Sequence, residues 1–376
     1  MENMKRNICI IGNNANGAPI TDGGRIKLRL YQTILNENGY HVSMIDLYGW
    51  TKHIFSIIHK IKKAIKENDS IIIMAGPKGC RFIIPLVNHY NKKYQKKIIF
   101  SALGVGTLDS LLAKMSPEKA KDFLLGNTGS IKDEKMSKHL KKLTYVLVEN
   151  ETLLKCYKNF YHLNNVYILN NFRNIEIQPR EYPKWENMQI IFFSRIIENK
   201  GVLDLMKAVY ELVNKEHLNI TLNLYGEMQL TSEGKKEFDS YLINSSIIYH
   251  GQISPDQGVI TIKNNHLFCL PTKYHGEGTS GALVESMIAG TPALVSSYSQ
   301  AKDLIHNQED GIIFELNNYD DLVNKIRFCY ENYELLKKIS HNVQVTAKKF
   351  VFSTYKDEFF DFMTGVKKDE DSHCDC

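Results

Sequence analysis

No apolar run in the 376-residue chain approaches the roughly 20 residues that a membrane-spanning helix needs. Its longest apolar stretches, ICIIG, SIIIMAG and QIIFFS, are strand-sized and end in turn residues. The first residues, MENMKRNICIIG, enter a strand almost at once and carry no signal-peptide pattern. The seven cysteines are scattered, most of them inside apolar strands or helices, so reduced thiols in a cytoplasmic protein are expected. Cys374 and Cys376 in the terminal CDC are close enough to bind metal, but a solvated, disordered end at 366–376 is the preferred reading. Zinc-finger spacing and the aromatic RNA-binding pattern are both missing, which argues against nucleic acid as a partner. The loop after the first strand reads GNNANG, not the G-x-G-x-x-G of dinucleotide enzymes, and Asp46 is the only acidic residue at the second strand. An oxidoreductase reading is correspondingly weak.

The chain is 43% hydrophobic and 24% charged, ordinary for a globular protein with full cores, and its length suits two domains. The net charge of +5 conceals an asymmetry. Residues 1–175 carry 27 Lys and Arg against 13 Asp and Glu, hence +14, and residues 176–376 carry −9. The basic residues cluster as KIKKAIK (60–66), NKKYQKK (91–97) and KHLKK (138–142). An anionic membrane surface is the expected partner of such a half.

Strand and helix patterns alternate twice. NICIIG, HVSMID, SIIIMA, KIIFSAL, YVLVEN and NVYILNN read as strands in the first half, separated by amphipathic stretches such as HIFSIIHKIKKAIK. A loop, NNANGAPITDGGR, precedes a helix from about Ile26 to Asn36. The polar segment 170–188, with two prolines and no apolar period, reads as a linker. QIIFFS, NITLNLYG, IIYHG, HLFCLP, PALVSS and GIIFE then form a second series. Apolar strands joined by helices predict α/β architecture: two doubly wound parallel sheets facing a cleft.

Ligands of such sheets bind at the carboxyl ends of the strands. After QIIFFS come Arg195 and, five residues on, Lys200, a fork and a point charge suited to a diphosphate. Glu277 and Glu285 flank the start of a helix that begins near Ser280, capped by Thr279 or Ser280, and ends at Gly290. Free amides from Gly278 to Gly281 meet a positive dipole end there, a place for phosphate or sugar hydroxyls. Leu283, Val284, Met287 and Ile288 make the core face. Glu285 is expected off it, among Gly281, Ala282 and Ala289, where small neighbours admit a ligand.

FSRIIENKGVLDLMKAV resembles the GR-x4-KG region of glycosyltransferase family 4, and LPTKYHGEGTSGALVESMIAGTPALVSS its E-x7-E region with the Ala-x-Gly-x-Pro at its end. IIYHGQIS, YGEM and DGIIFE look like three further turns of the family, in order, across roughly 190–350. The first half resembles it more weakly, through DGGRIKLRL and GPKGCRF, which look like the capsule- and exopolysaccharide-building subset. The resemblance implies the GT-B fold: an acceptor-binding domain over 1–175, a nucleotide-sugar domain over 176–349, and a last helix, about 350–365, crossing back to the first. It implies sugar transfer with retention from a UDP- or GDP-sugar to a glycan or polyprenyl-diphosphate-linked acceptor, on the inner face of the cytoplasmic membrane. Arg195 and Lys200 would hold the diphosphate, Glu285 the ribose and Glu277 the donor sugar. Gly278, Thr279 and Ser280 would meet sugar and phosphate, Ile253 the base through its backbone, and Gly226 would form a second glycine turn. Gly23 and Gly24 would let the first domain's loop approach phosphate and acceptor. No metal is expected, since the two cations supply the positive charge.

One departure stands out. Many members have a histidine after the fourth strand, where this chain reads FSALGVG, leaving Ser101 or a backbone group in its place. Two alternatives remain: a GT-B epimerase of nucleotide sugars, for which no first-domain acid or base is evident, and an inactive GT-B scaffold subunit.

Overall fold

The structure, a computed structural model, describes residues 6–17, 23–127, 129, 131–274 and 276–365. The tail expected to be disordered, with Cys374 and Cys376, lies outside the described residues.

Isoleucine-rich, strand-sized runs lie beside one another in two parallel sheets. The first holds β1 (Asn7–Gly12), β2 (His41–Asp46), β3 (Ser70–Met74), β4 (Lys97–Ser101), β5 (Tyr145–Val148) and β6 (Val166–Ile168), in the order β2-β1-β3-β4-β5-β6. The second holds β7 (Met188–Phe193), β8 (Ile220–Tyr225), β9 (Ile247–Gly251), β10 (Leu267–Leu270), β11 (Ala293–Ser296) and β12 (Ile312–Phe314), in the order β12-β11-β10-β7-β8-β9. All these pairings are parallel, with Asn7 opposite His41 and Met188 opposite Ile220. Each sheet carries an apolar cluster on both faces, which is why its strands read as unbroken apolar runs. The order reverses between β1 and β3 and between β7 and β10, so each sheet opens a crevice at the carboxyl ends of those strands.

Six helices carry or support residues of the crevices: α1 (Gly23–Glu37), α2 (Ile54–Glu67), α3 (Glu151–Tyr161), α4 (Val202–Glu216), α5 (Gly281–Ala289) and α6 (Phe352–Thr364). Helix α1 begins earlier than expected: Gly23 and Gly24 form its first turn and do not belong to the preceding loop. Helix α6 comes last in the chain yet packs on the first sheet. Phe359, Phe362 and Met363 are fully buried there with Ile8, Ile10 and Ile72. At about 1.5–3 kcal/mol per such side chain, the crossing is firmly held. The segment after β6 is no loose linker. Arg173 forms a parallel bridge with Val351, its amide donating to the Phe350 carbonyl and its carbonyl accepting from the Phe352 amide, both at 2.8 Å. Tyr182 and Trp185 pack on the second domain's core. The two chain crossings between sheets are therefore stitched side by side.

Candidate active site

A cleft of about 500 Å³ lies where the two switch points face each other. Arg195, Lys200, Gly226, Ile253, Glu277, Gly278, Thr279, Ser280 and Glu285 line it from the second domain, and Gly23 and Gly24 from the first. Of the residues singled out from the sequence, these eleven are on its wall and Ser101 is not.

The loop after β7 is folded against the loop after β10. The Lys273 amide donates to the Asn199 carbonyl at 2.9 Å, and the Thr272 hydroxyl donates to the same carbonyl at 3.2 Å. This closure brings Lys200 onto Glu277. The Lys200 Nζ lies 2.5 and 2.6 Å from the two carboxylate oxygens, and Thr272 Oγ1 donates to Oε2 at 3.2 Å. The two residues assigned separately to diphosphate and sugar are thus an ion pair, with side chains 13% and 11% exposed. Arg195 is exposed on the same loop, and its guanidinium makes no hydrogen bond or ion pair among the described residues. Gly226 carries a positive φ of 148°, and a Cβ there would fall on the Ser194 carbonyl, so glycine alone lets β8 turn against β7.

Glu285 departs from its expected setting. It is 5% exposed, and its Oε1 accepts from Arg173 Nε at 2.8 Å. The guanidinium also donates from Nη1 to Asn171 Oδ1 at 3.1 Å and lies over Gly281, where a Cβ would collide with it. The small residue at 281 therefore makes room for an arginine and not for a ligand. Glu285 Oε2 instead sits beside Gly258, 2.7 Å from where a Cβ would be. Ser101 is fully buried and within 3.5 Å of the Tyr31 hydroxyl, so it does not stand in for the family histidine; Leu103 and Gly104 line the cleft nearby.

Sequence reasoning missed Lys27, Glu149, Asn171 and Arg173, all of which line the cleft. Lys27 and Glu149 form a third ion pair, Nζ to Oε1 at 2.8 Å, with side chains only 3% and 4% exposed. The adjacent Asn150 caps α3, accepting from the Leu153 amide at 3.0 Å, and donates across the cleft to Thr279 Oγ1 at 3.2 Å and Gln300 Oε1 at 2.5 Å. The available signal was position: a Glu-Asn pair directly after an apolar strand lies at the ligand-binding end of a parallel sheet. Among the described residues, no group of three or more His, Cys, Asp or Glu is placed to hold a metal ion.

Residues 174–346 match the family described as Glycosyl transferases group 1. An uncharacterized glycosyltransferase of Methanocaldococcus jannaschii is 25% identical over 223 residues, 56% of this chain and 54% of its own. The capsular polysaccharide biosynthesis glycosyltransferase CapM of Staphylococcus aureus is 26% identical over 161 residues, 42% of this chain and 40% of its own. The chain thus spans about half the length of the curated relatives it matches. The Anabaena protein HepE, solved with UDP and glucose, superposes with a TM-score of 0.69 at 13% identity, covering 96% of this chain and 100% of that one. The architecture is GT-B, and the second domain, over residues 174–346, is similar to the glycosyl transferases group 1 family.

Proposed function

We propose that the protein is a retaining glycosyltransferase that moves a sugar from a UDP- or GDP-sugar to a glycan or lipid-linked acceptor. The observation that carries this reading is the cleft itself. It gathers Arg195, Lys200, the start of α5 and two carboxylates at the facing switch points of both sheets. Arg195 and Lys200 take the diphosphate and stabilise the charge that grows on it as the glycosidic bond breaks. First-turn amides of α5 meet phosphate and sugar, and Gly23 and Gly24 open the first turn of α1 toward them. Glu285, held by Arg173, offers Oε2 to ribose hydroxyls, and Ile253 meets the base through its backbone. Glu277 binds the donor sugar and stabilises positive charge developing at the anomeric carbon. The leaving phosphate receives the acceptor's proton, and the cations supply the positive charge without a metal. The setting is cell-surface polysaccharide synthesis, as CapM's name suggests for that relative. Contact with an anionic membrane is in keeping with the basic first half, and no described helix is long and apolar enough to cross a membrane.

Calorimetry with UDP and GDP, then a panel of UDP- and GDP-sugars assayed for nucleoside diphosphate release, tests the proposal. Binding of neither nucleotide would overturn it. Conversion of the sugar with the nucleotide still attached would favour the epimerase.

A further inference from the structure

The Lys27–Glu149 pair sits on the first-domain wall of the cleft. Lys27 projects from the second turn of α1, and Glu149 comes directly after β5, so the pair ties two neighbouring crevice elements of the first domain. Lys27 also donates to the Ala102 carbonyl at 3.4 Å, just after β4. Desolvation is the largest influence on Lys27 and opposes its charge, but Glu149 and Tyr31 together offset it and raise the lysine's pKa.

The two carboxylate oxygens of Glu149 have different surroundings. Oε1 is taken by Lys27. Oε2 is turned to the opposite domain: a Cβ built on Gly278 would lie 3.4 Å from it. Gly278 is next to Glu277 in the chain, and the same Cβ would lie 2.8 Å from the Gly104 Cα, so the two domains approach here as closely as glycines allow. Oε2 makes no hydrogen bond among the described residues. A buried salt bridge that served only as a pillar would leave both oxygens enclosed by donors, since an unsatisfied buried charge is costly. This one leaves its second oxygen beside the neighbour of Glu277, on the cleft wall.

We propose that Glu149 is the first domain's acceptor for a carbohydrate hydroxyl at the reacting centre, aimed by Lys27 as a positioning residue. A carboxylate only accepts, and Oε2 has lone pairs left to take an O–H. With Glu277 it would grip a sugar from both walls. The inference rests on the nucleotide-sugar reading of the cleft. The hydroxyl belongs either to the donor sugar or to the attacking acceptor, and both present the same chemistry.

The test uses the full chain. Glu149→Gln strands the Lys27 charge and risks misfolding, so the decisive variant is Lys27→Met with Glu149→Leu, which removes both charges at similar volume. A buried pair replaced in this way is often neutral for stability. Melting temperature and the affinities for UDP and GDP should stay at wild-type values. Release of nucleoside diphosphate is then measured from a hydrolysable donor in water and with a panel of simple glycosides as acceptors. Loss of a charged hydrogen bond predicts a fall of about ten- to a hundredfold. A fall in both assays assigns the hydroxyl to the donor, and a fall only in transfer assigns it to the acceptor. A folded double variant with full rates in both overturns the proposal and leaves the pair structural. Failure of the wild-type chain to bind UDP or GDP would sink the donor reading instead, independently of Glu149.

Discussion

Replacing Glu277 by glutamine should move binding and turnover in opposite directions. In the structure the Glu277 carboxylate neutralises Lys200, with Nζ 2.5 and 2.6 Å from its oxygens. A phosphate oxygen bonded to the same Nζ would lie roughly 5 Å from the carboxylate carbon, given ordinary charged hydrogen-bond lengths of about 2.8 Å. At that separation two unit charges repel by about 3 kcal/mol at an effective dielectric of 20 and by just under 1 kcal/mol in water. The pair is mostly buried but borders the cleft, so the effect lies between these limits. Glu277→Gln should therefore tighten UDP and GDP binding by about 1–3 kcal/mol, roughly five- to a hundredfold. Turnover should drop by at least about tenfold, because the carboxylate proposed to hold the sugar is gone. Calorimetry at low ionic strength gives the first number, and donor hydrolysis gives the second. Unchanged or weaker nucleotide affinity would show that Lys200 does not face the diphosphate. Full kcat would reduce Glu277 to a turn residue.

Arg195→Ala removes the cleft cation that has no partner among the described residues, and calorimetry should show UDP and GDP weakened by about tenfold or more. Arg173→Met strands the buried Glu285 carboxylate and should cost about 3–5 kcal/mol in urea unfolding, a loss that Arg173→Met with Glu285→Leu largely restores without restoring nucleotide affinity. His266 accepts from the Gln189 amide at 2.8 Å, and burial, with Arg180 nearby, lowers its pKa to about 4. The unfolded chain therefore binds a proton that the folded chain refuses. Stability from this residue is complete above about pH 6.5 and is lost as pH falls toward 4, by about 3 kcal/mol in all. His266→Asn should flatten that slope in urea midpoints measured at pH 7 and 4.5. Phe55 is 84% exposed on α2, and Lys62 and Lys66 fall within about 20° of the same helix line at 100° per residue. Co-sedimentation with anionic vesicles should weaken with salt and with Phe55→Ser; equal binding to neutral vesicles would refute the membrane contact.

The fold was legible because its signal is local. Runs such as SIIIM and YVLV are strand-length and apolar throughout, as strands covered on both faces must be. The return of the last helix was implied by the family resemblance alone; Phe359 and Phe362, buried on the first sheet, are what hold it there. Segment 170–188 does link the two sheets, but its polarity gave no sign of how tightly it is held. Its Asn171 and Arg173 are 5% exposed, and their hydrogen bonds to Thr279 and Glu285 each span more than a hundred positions.

That distance explains what was missed in the site. The three cleft ion pairs join residues 77, 112 and 122 positions apart, so no window of sequence contains both partners. Motif spacing could name Lys200, Glu277 and Glu285, but it could not say that Lys200 and Glu277 neutralise each other. That pairing decides the sign of the Glu277→Gln effect on binding. Nor could it give Glu285 an arginine that uses one of its oxygens and leaves the other beside Gly258. Pairing also sorts the cations by role. Lys27 and Arg173 each hold a carboxylate with both partners under 10% exposed, where losing either leaves a costly buried charge. Lys200 is paired at the cleft's edge and can exchange its partner. Arg195 makes no ion pair among the described residues and faces the cleft from an exposed loop. On the proposed reading, an incoming diphosphate meets Arg195 first, at no cost in broken pairs. It then competes with Glu277 for Lys200, and it leaves the two deeper pairs to fix the carboxylates that its sugars require.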